Sequence, residues 1–476
     1  MKDKADVQIF AVSQALGHTK ADLDVEIHTY DSTDCKISPY IAFSVFTAAL
    51  STFITGFNVG SPNTPQHVII GCNLKDFPES ALPACLPMAP IVWGFTLATF
   101  ALGSLFAGLG AGSVVDRIGR KKALWFNNIY LIIAGVLIST STSVPHLIIG
   151  RFFAGLGGGS ACVFVSVYNS EIAPPRCKGM IGTMAQVSVV SGVLTAQALS
   201  LVFTYIPGWR ILFALTAVPC VLQIILLSFC TETPAWLISQ GRIDEARVAL
   251  RKLRRGYNTD SEFDMLYQKN SFDLSNTEGI KNSNQRTVAK RMGLAEILSK
   301  PEIRRGLFNA LIIHGFQQLC GINAVVYYST SIFQSVLGSK NSGIFTVMVA
   351  VTNLTVSLFS TILVDRLGRK PLLLFSSFGM CLSSVMIVTA TTTGINIMVV
   401  ISVMLFVACF ATGLGPLPWL LVPELLPPTA LGTGASLCSA VNWFFNFVIG
   451  FMFPIVKQYL GEWAFLPFAV TTCSCA

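Results

Sequence analysis

Apolar stretches of twenty or so residues recur along this chain, separated by short clusters of charge, and the pattern is helical rather than alternating. The stretches are 40–61, 88–111, 123–143, 145–167, 179–203, 209–230, 306–336, 342–364, 371–390, 395–420 and 430–455, with a last one from Trp463. About 20 helical residues cross a hydrocarbon layer roughly 30 Å thick, so the pattern predicts eleven complete membrane-spanning helices and a stub. The stub has 14 residues to Ala476, a reach of about 21 Å as helix. It closes on small and polar residues, Thr471 to Ala476, so a truncated or altered twelfth helix is expected. One long polar stretch, 231–305, interrupts the series. At its start Ile243, Ala246, Ala249, Leu250 and Leu253 recur at helical spacing, which predicts a short amphipathic helix on the membrane face. Residues 256–285, rich in Asn, Ser, Asp and Gly, predict a flexible loop.

The charged clusters repeat. Asp116-Arg117-Ile118-Gly119-Arg120-Lys121 returns as Asp365-Arg366-Leu367-Gly368-Arg369-Lys370. Ser170-Glu171-Ile172-Ala173-Pro174-Pro175 lines up with Pro423-Glu424-Leu425-Leu426-Pro427-Pro428, and Gly155-Leu156-Gly157 with Gly413-Leu414-Gly415. The order is kept and the offsets barely drift, which points to duplication of a half-chain. The expected organisation is a tail over 1–36, a six-helix half over 37–230, a linker over 231–305 and a second half over 306–476. Parallel repeats of six spans are a plan of membrane transporters.

Composition agrees with this reading: 53% of residues are hydrophobic and 12% charged, with a mean hydropathy of +0.64, against roughly 25% charged in soluble domains. The net charge of +8 raises a nucleic-acid partner, but the bases sit in alternate loops and in 231–305. That distribution is topological, and the positive-inside bias puts both termini and the linker in the cytosol. Residues 1–36 carry no apolar run, so no cleavable signal is expected. Thirteen cysteines without a Cys-x-x-Cys, and five scattered histidines, do not make a zinc site. Cys72 and Cys85 share the first outward loop and are the candidate disulfide. The sequon at Asn353 lies within a span, so no glycan is expected there. No metal or cofactor is expected, and the partners are the lipid bilayer and a small solute rather than nucleic acid.

Each basic turn follows an acid, which can cap the next helix, and supplies guanidinium groups for acids opposite. Asp116, Arg117, Arg120, Glu171, Arg176, Asp365, Arg366, Arg369 and Glu424 are expected to form a breakable salt-bridge network on the cytosolic side. Simple positive-inside anchoring explains the bases but not the repeated acids.

These motifs resemble the sugar porter family of the major facilitator superfamily over nearly the whole chain. Gly112-x3-Asp116-Arg117-x-Gly119-Arg120 is similar to the superfamily's loop motif and Arg151-x3-Gly155-x-Gly157-x-Gly159 to its fourth-helix motif. Tyr168-x-Ser170-Glu171, Thr231-Glu232-Thr233-Pro234, and Gln317-Gln318-Leu319-Cys320-Gly321-Ile322-Asn323 through Tyr327-Tyr328 resemble sugar-porter signatures. The resemblance implies an all-α, multi-pass major facilitator fold with 6+6 helices, facilitative transport of a hexose-class sugar by alternating access, no catalysis, and a monomeric transport unit. It adds Arg151 and Glu232 to the gating residues. It implies sugar contacts at Gln186, Gln317, Gln318, Asn323, Asn353, Trp419 and Asn442. Amides both donate and accept without charge, which suits a ring of hydroxyls inside a membrane, and Trp419 offers an apolar wall.

The tenth-span run Gly413-Leu414-Gly415-Pro416-Leu417-Pro418 predicts a hinge, since proline removes helix hydrogen bonds, whereas Gly155 to Gly159 predicts close helix packing. Where proton symporters of the family carry an Asp in the first helix, this chain has Asn58, which cannot titrate; uniport is expected. His314 is expected to be a packing residue. Four departures separate the chain from glucose-selective members. His314-Gly315-Phe316 replaces Gln-Leu-Ser, Ala411 replaces a Glu, Ala235 and Thr429 stand where bases are usual, and a closing Pro-Glu-Thr-Lys-Gly is missing. The alternatives are a non-transporting sugar sensor or trafficking relative, and a proton-coupled symporter. The plasma membrane is the default location, an endomembrane or vacuolar membrane the alternative.

Overall fold

The computed structural model describes residues 37–71, 82–174, 177–254, 259–275, 292–338 and 342–475, and at 269–275, Leu337, Asp365, Pro428 and Cys475 the backbone only. The tail over 1–36, Cys72 and Arg176 therefore lie outside the described residues, as does the Asp365 side chain.

Several helices begin at a proline, and the first also has a side-chain cap. Ser38 accepts from the Ile41 N–H at 3.1 Å ahead of Pro39, opening α1 (Pro39–Gly60). A short α2 (Gln66–Ile70) follows, then α3 (Pro90–Ile118), α4 (Arg120–Ser139), α5 (Val144–Ile172), α6 (Lys178–Phe203), α7 (Gly208–Ala214) and α8 (Ala217–Phe229). The polar interruption holds α9 (Pro234–Ser239), α10 (Ile243–Leu253), α11 (Asp260–Ser275) and α12 (Leu294–Ser299). The chain continues through α13 (Pro301–Leu319), α14 (Ile322–Leu337), α15 (Ser342–Leu367), α16 (Arg369–Thr393), α17 (Asn396–Thr412), α18 (Leu417–Leu425) and α19 (Pro428–Leu460). After a 3-10 turn over Gly461–Trp463 comes α20 (Leu466–Cys475), of 10 residues, packed on α16 and α13. Among the described residues 11 helical segments are long and apolar enough to cross a membrane. They match the apolar stretches, but α3, α5 and α18 run on into the charged clusters because a helix end can carry charge where an apolar run cannot.

Three stretches read as single spans are broken. Leu215 and Thr216 separate α7 from α8, Cys320 and Gly321 (φ 89°) separate α13 from α14, and Gly413 to Pro416 separate α17 from α18. The expected hinge thus coincides with one break of three. At Gly321 a side chain is doubly excluded, since its Cβ would lie 2.5 Å from the Phe468 ring of α20.

The repeated turn is realised twice in the same backbone geometry. Gly119 (φ 95°) alone joins α3 to α4, and Gly368 (φ 83°) alone joins α15 to α16. Small residues set the packing behind it. A Cβ on Gly155 would lie 2.0 Å from the Phe100 carbonyl of α3, so α5 and α3 touch backbone to backbone as the glycine run predicted. Across the middle, α3 lies along α19 and α6 along α15.

The linker departs from expectation in two ways. Residues 260–275, read within a loop, form α11, because Phe263 and Leu266 pack on Trp236, Leu237, Ala246 and Leu250 and Arg254 pairs with Glu262 at 2.8 Å. The apolar face of α10 is covered by that same cluster rather than turned to a membrane. Most described cysteines are free and buried, but Cys85 is disulfide-bonded, its expected partner Cys72 lying outside the described residues. Cys177, which nothing in the sequence singled out, is disulfide-bonded as well.

Candidate functional site

The amides of the Gln317-Gln318 signature lie at the C-terminal end of α13, just before the break at Gly321, and Asn323 lies just after it. Gln318 Nε2 donates to Asn442 Oδ1 of α19 at 2.9 Å, Asn323 Nδ2 donates to Gln318 Oε1, and Asn442 Nδ2 donates to Gln317 Oε1 at 2.6 Å. Four candidate residues thus form one buried, uncharged network. His314 joins it: its carbonyl lies 3.5 Å from Asn442 Nδ2, and its ring meets Trp419 edge-on with centroids 4.7 Å apart. Asn353 is buried on α15, with Ser357 Oγ 3.4 Å from its Oδ1, and Gln186 is half-buried on α6. Neither is hydrogen-bonded to the network, although α6 and α15 pack together.

Gln317 has a second task that its sequence position does not reveal. Pro418 removes the N–H that would bond the Leu414 carbonyl, and Gln317 Nε2 donates to that oxygen and to Gly415 O, both at 2.8 Å. Pro416 likewise frees the Thr412 carbonyl, which accepts from Ser360 Oγ of α15 at 2.8 Å. Tyr328 donates to Gly450 O at 2.9 Å, the carbonyl that Pro454 leaves unpaired in α19. The broken helices are pinned by side chains of neighbouring helices, so the amide network and the break are one mechanical unit.

Arg151 is fully buried in α5, far along its helix from the basic turns. Its Nη1 donates to the Asn58 carbonyl at 2.7 Å, and its guanidinium stands 5.1 Å from the Phe100 ring centre. The residue beside it is a neutral amide whose Nδ2 donates to Ile54 O, not a carboxylate.

The basic end carries two matching clusters. Arg120 Nε and Nη2 grip Glu171 at 2.9 and 2.5 Å, with Nη1 reaching the Val115 carbonyl at 3.3 Å; Arg369 grips Glu424 at 3.3 and 2.8 Å and reaches Val364 O at 3.2 Å. Asp116 lies 3.5 Å from Arg120, whereas Arg117 and Arg366 are exposed and make no ion pair among the described residues. Both described clusters join helices that are close in sequence. Contacts across the middle are made instead by Gly112 N to Ser436 Oγ at 2.9 Å and by the Asp116 carboxylate beside Gly432.

The acid that caps α4 is not Asp116. Glu232, from the segment after α8, accepts the N–H groups of Arg120 at 3.0 Å, Lys121 at 3.1 Å and Thr233 at 3.0 Å. Burial pushes its carboxyl above the usual range, against those three donors and Arg120. At the opposite end Asn63, which carried no sequence signal, clamps α14: Nδ2 donates to Val326 O at 2.7 Å and Ser329 Oγ at 2.8 Å, and Oδ1 accepts from Thr330 N at 3.3 Å.

The family model "Sugar (and other) transporter" matches residues 44–475. Facilitated glucose transporter member 4 of Bos taurus is 32% identical, over 91% of this chain and 86% of its own length. Facilitated glucose transporter protein 1 of Caenorhabditis elegans is 30% identical, over 92% and 86%, and a probable metabolite transport protein of Saccharomyces cerevisiae 28%, over 91% and 90%. Among solved structures, the proton:xylose symporter XylE bound to 6-bromo-6-deoxy-D-glucose superposes with a TM-score of 0.77 at 22% identity, covering 92% of this chain and 95% of that one. Its inward-open form, from E. coli, gives 0.69 over 92% and 95%. The fold is the all-α, multi-pass fold of the major facilitator superfamily.

Proposed function

Because this chain belongs to the sugar transporter family, we propose that it carries a hexose-class sugar across a membrane by facilitated, alternating access. The observation that carries this reading is the buried neutral network of Gln317, Gln318, Asn323 and Asn442 beside Trp419. Its members bond one another, and sugar hydroxyls can take over those bonds one for one, so binding exchanges hydrogen bonds without charging the membrane interior. In this reading Gln186 and Asn353 contribute from α6 and α15, and Trp419 covers the apolar face of the ring. The two halves, 37–230 and 306–476, rock about the sugar, with 231–305 as the linker.

Gating belongs to three groups in this scheme. Arg120 with Asp116, Glu171 and Glu232, and Arg369 with Glu424, stiffen the basic end of each half; Arg117, Arg176, Asp365 and Arg366 complete the charged turns. Asn63 secures the opposite end. The basic end faces the cytosol by the positive-inside bias, with the plasma membrane as the default location. Asn58 beside Arg151 favours a uniporter, since proton coupling needs a group there that changes charge.

The test is uptake of radiolabelled glucose, fructose and galactose in cells lacking their own hexose carriers, with surface expression verified, for the wild type and Gln318→Ala. Saturable uptake of one sugar, insensitive to an uncoupler and with KM raised about 5–15-fold in the variant, is expected. Absence of uptake from correctly placed protein would favour a non-transporting relative, and uptake collapsed by the uncoupler a symporter.

A further inference from the structure

A cavity of about 500 Å³ lies at the basic end, away from the amide network. Its walls come from the start of α4, the segment after α8, α9 and α10, with Trp236, Leu237, Val248 and Ala249 as the apolar part. Its charges divide into those already engaged and those that are not. Lys121 Nζ donates to Cys230 O at 2.7 Å, Glu232 holds three backbone N–H groups, and Arg242 pairs with Glu245 at 2.7 Å. Lys122, Lys252 and Asp244 also line it, are exposed, and make no hydrogen bond or ion pair among the described residues. A ligand for this cavity therefore meets two free cations and one free anion.

An apolar track leads to the same place. Val218, Val221, Leu222, Ile225 and Phe229 are exposed along one side of α8, and α8 ends at Cys230, which lines the cavity. On α10, exposed Val248 precedes Lys252 by one helical turn, and both line the cavity.

We propose that this cavity binds the headgroup of an acidic aminophospholipid, with an acyl chain along the exposed side of α8. A serine headgroup carries a phosphate, a carboxylate and an ammonium, two negative charges and one positive, the complement of Lys122, Lys252 and Asp244. A glycerol headgroup lacks the ammonium for Asp244, and an ethanolamine headgroup lacks the second anion. The proposal is independent of which solute is carried.

The experiment titrates the full chain in detergent with dioleoyl phosphatidylserine, phosphatidylglycerol or phosphatidylethanolamine and counts bound lipids by native mass spectrometry. Phosphatidylserine is expected to bind the wild type most tightly. Lys122→Gln/Lys252→Gln is expected to weaken it about thirtyfold, from the worth of two basic groups near an acidic headgroup. Asp244→Asn, a milder surface change, is expected to abolish the preference over phosphatidylglycerol while leaving binding itself intact. Equal binding of phosphatidylserine and phosphatidylglycerol by the wild type, or an unchanged affinity in a double variant that elutes and melts like the wild type, would overturn the site. Displacement of the lipid by equimolar O-phosphoserine would overturn the membrane source and assign a soluble phosphate ligand.

Discussion

Replacing Glu232 by Ala removes the acceptor that closes the start of α4, and its consequence follows from the hydrogen bonds. Three backbone donors, on Arg120, Lys121 and Thr233, lose a carboxylate at 3.0–3.1 Å in a site largely shut off from water. An N-cap is worth about 0.5–2 kcal/mol, and each donor left buried and unpaired about 1–3. Since water can reach part of the site, a loss of about 2–4 kcal/mol is expected. Glu232→Gln keeps one acceptor oxygen and should recover about half of it. The pH dependence separates capping from simple packing. Burial raises the Glu232 carboxyl above its unfolded value, so the folded state binds the proton more tightly. The corresponding stability is fully present below the ordinary glutamate range, near pH 4.3, and is lost as pH rises through the raised folded value. Melting of the wild type and both variants in detergent from pH 4 to 8, followed by tryptophan fluorescence, provides the assay. The wild type should lose ground to Glu232→Gln as pH rises, while both stay above Glu232→Ala. A Glu232→Ala variant as stable as the wild type would refute the capping argument, and a wild-type advantage over Glu232→Gln that grows with pH would refute the electrostatic one.

The two basic clusters should respond unequally to truncation. The Arg120 side chain is 5% exposed and Arg369 33%, so Arg120→Ala should cost about 3–5 kcal/mol by stranding Glu171, and Arg369→Ala under about 1 kcal/mol, both read by thermal melting. Gly321→Ala should destabilise by at least about 1–2 kcal/mol from the left-handed backbone alone, and should loosen α20, checked by protease sensitivity beyond Leu466. Gln318→Ala should raise KM for the sugar by about 5–15-fold, the worth of one to two hydrogen bonds. Gln317→Ala should lower kcat as well, because it frees the Leu414 and Gly415 carbonyls at the helix break. Equal effects of the two on KM alone would separate the amide network from the break.

The sequence by itself determined the features that depend on neighbours along the chain. Apolar runs longer than the hydrocarbon layer is thick have few outcomes besides spanning helices, because a backbone in lipid must satisfy its own hydrogen bonds. The duplicated turn needed no partner to be recognised: Gly119 and Gly368 both take a positive φ that favours glycine, and the run Gly155 to Gly159 announced close packing because only small residues permit it. The amides of the buried network were legible as a set, since Gln317, Gln318, Asn323 and Asn442 stand out within apolar stretches.

Only the tertiary structure decided who bonds whom. Asp116 was the local candidate to cap α4, yet the cap is Glu232, 112 residues from Arg120, because the segment after α8 folds back against the start of α4. Gln317 looked like a ligand contact, and only the approach of α13 to α18 shows it holding the carbonyl that Pro418 orphans. Asn63 is an ordinary loop residue until α14 arrives beside it. Residues 260–275 are too polar to predict a helix alone, but the cluster around Trp236 gives Phe263 and Leu266 a surface to cover. Hydrogen bonds are directional and short, so their partners depend on how helices far apart in sequence come to lie side by side, which hydrophobic length and periodicity leave open.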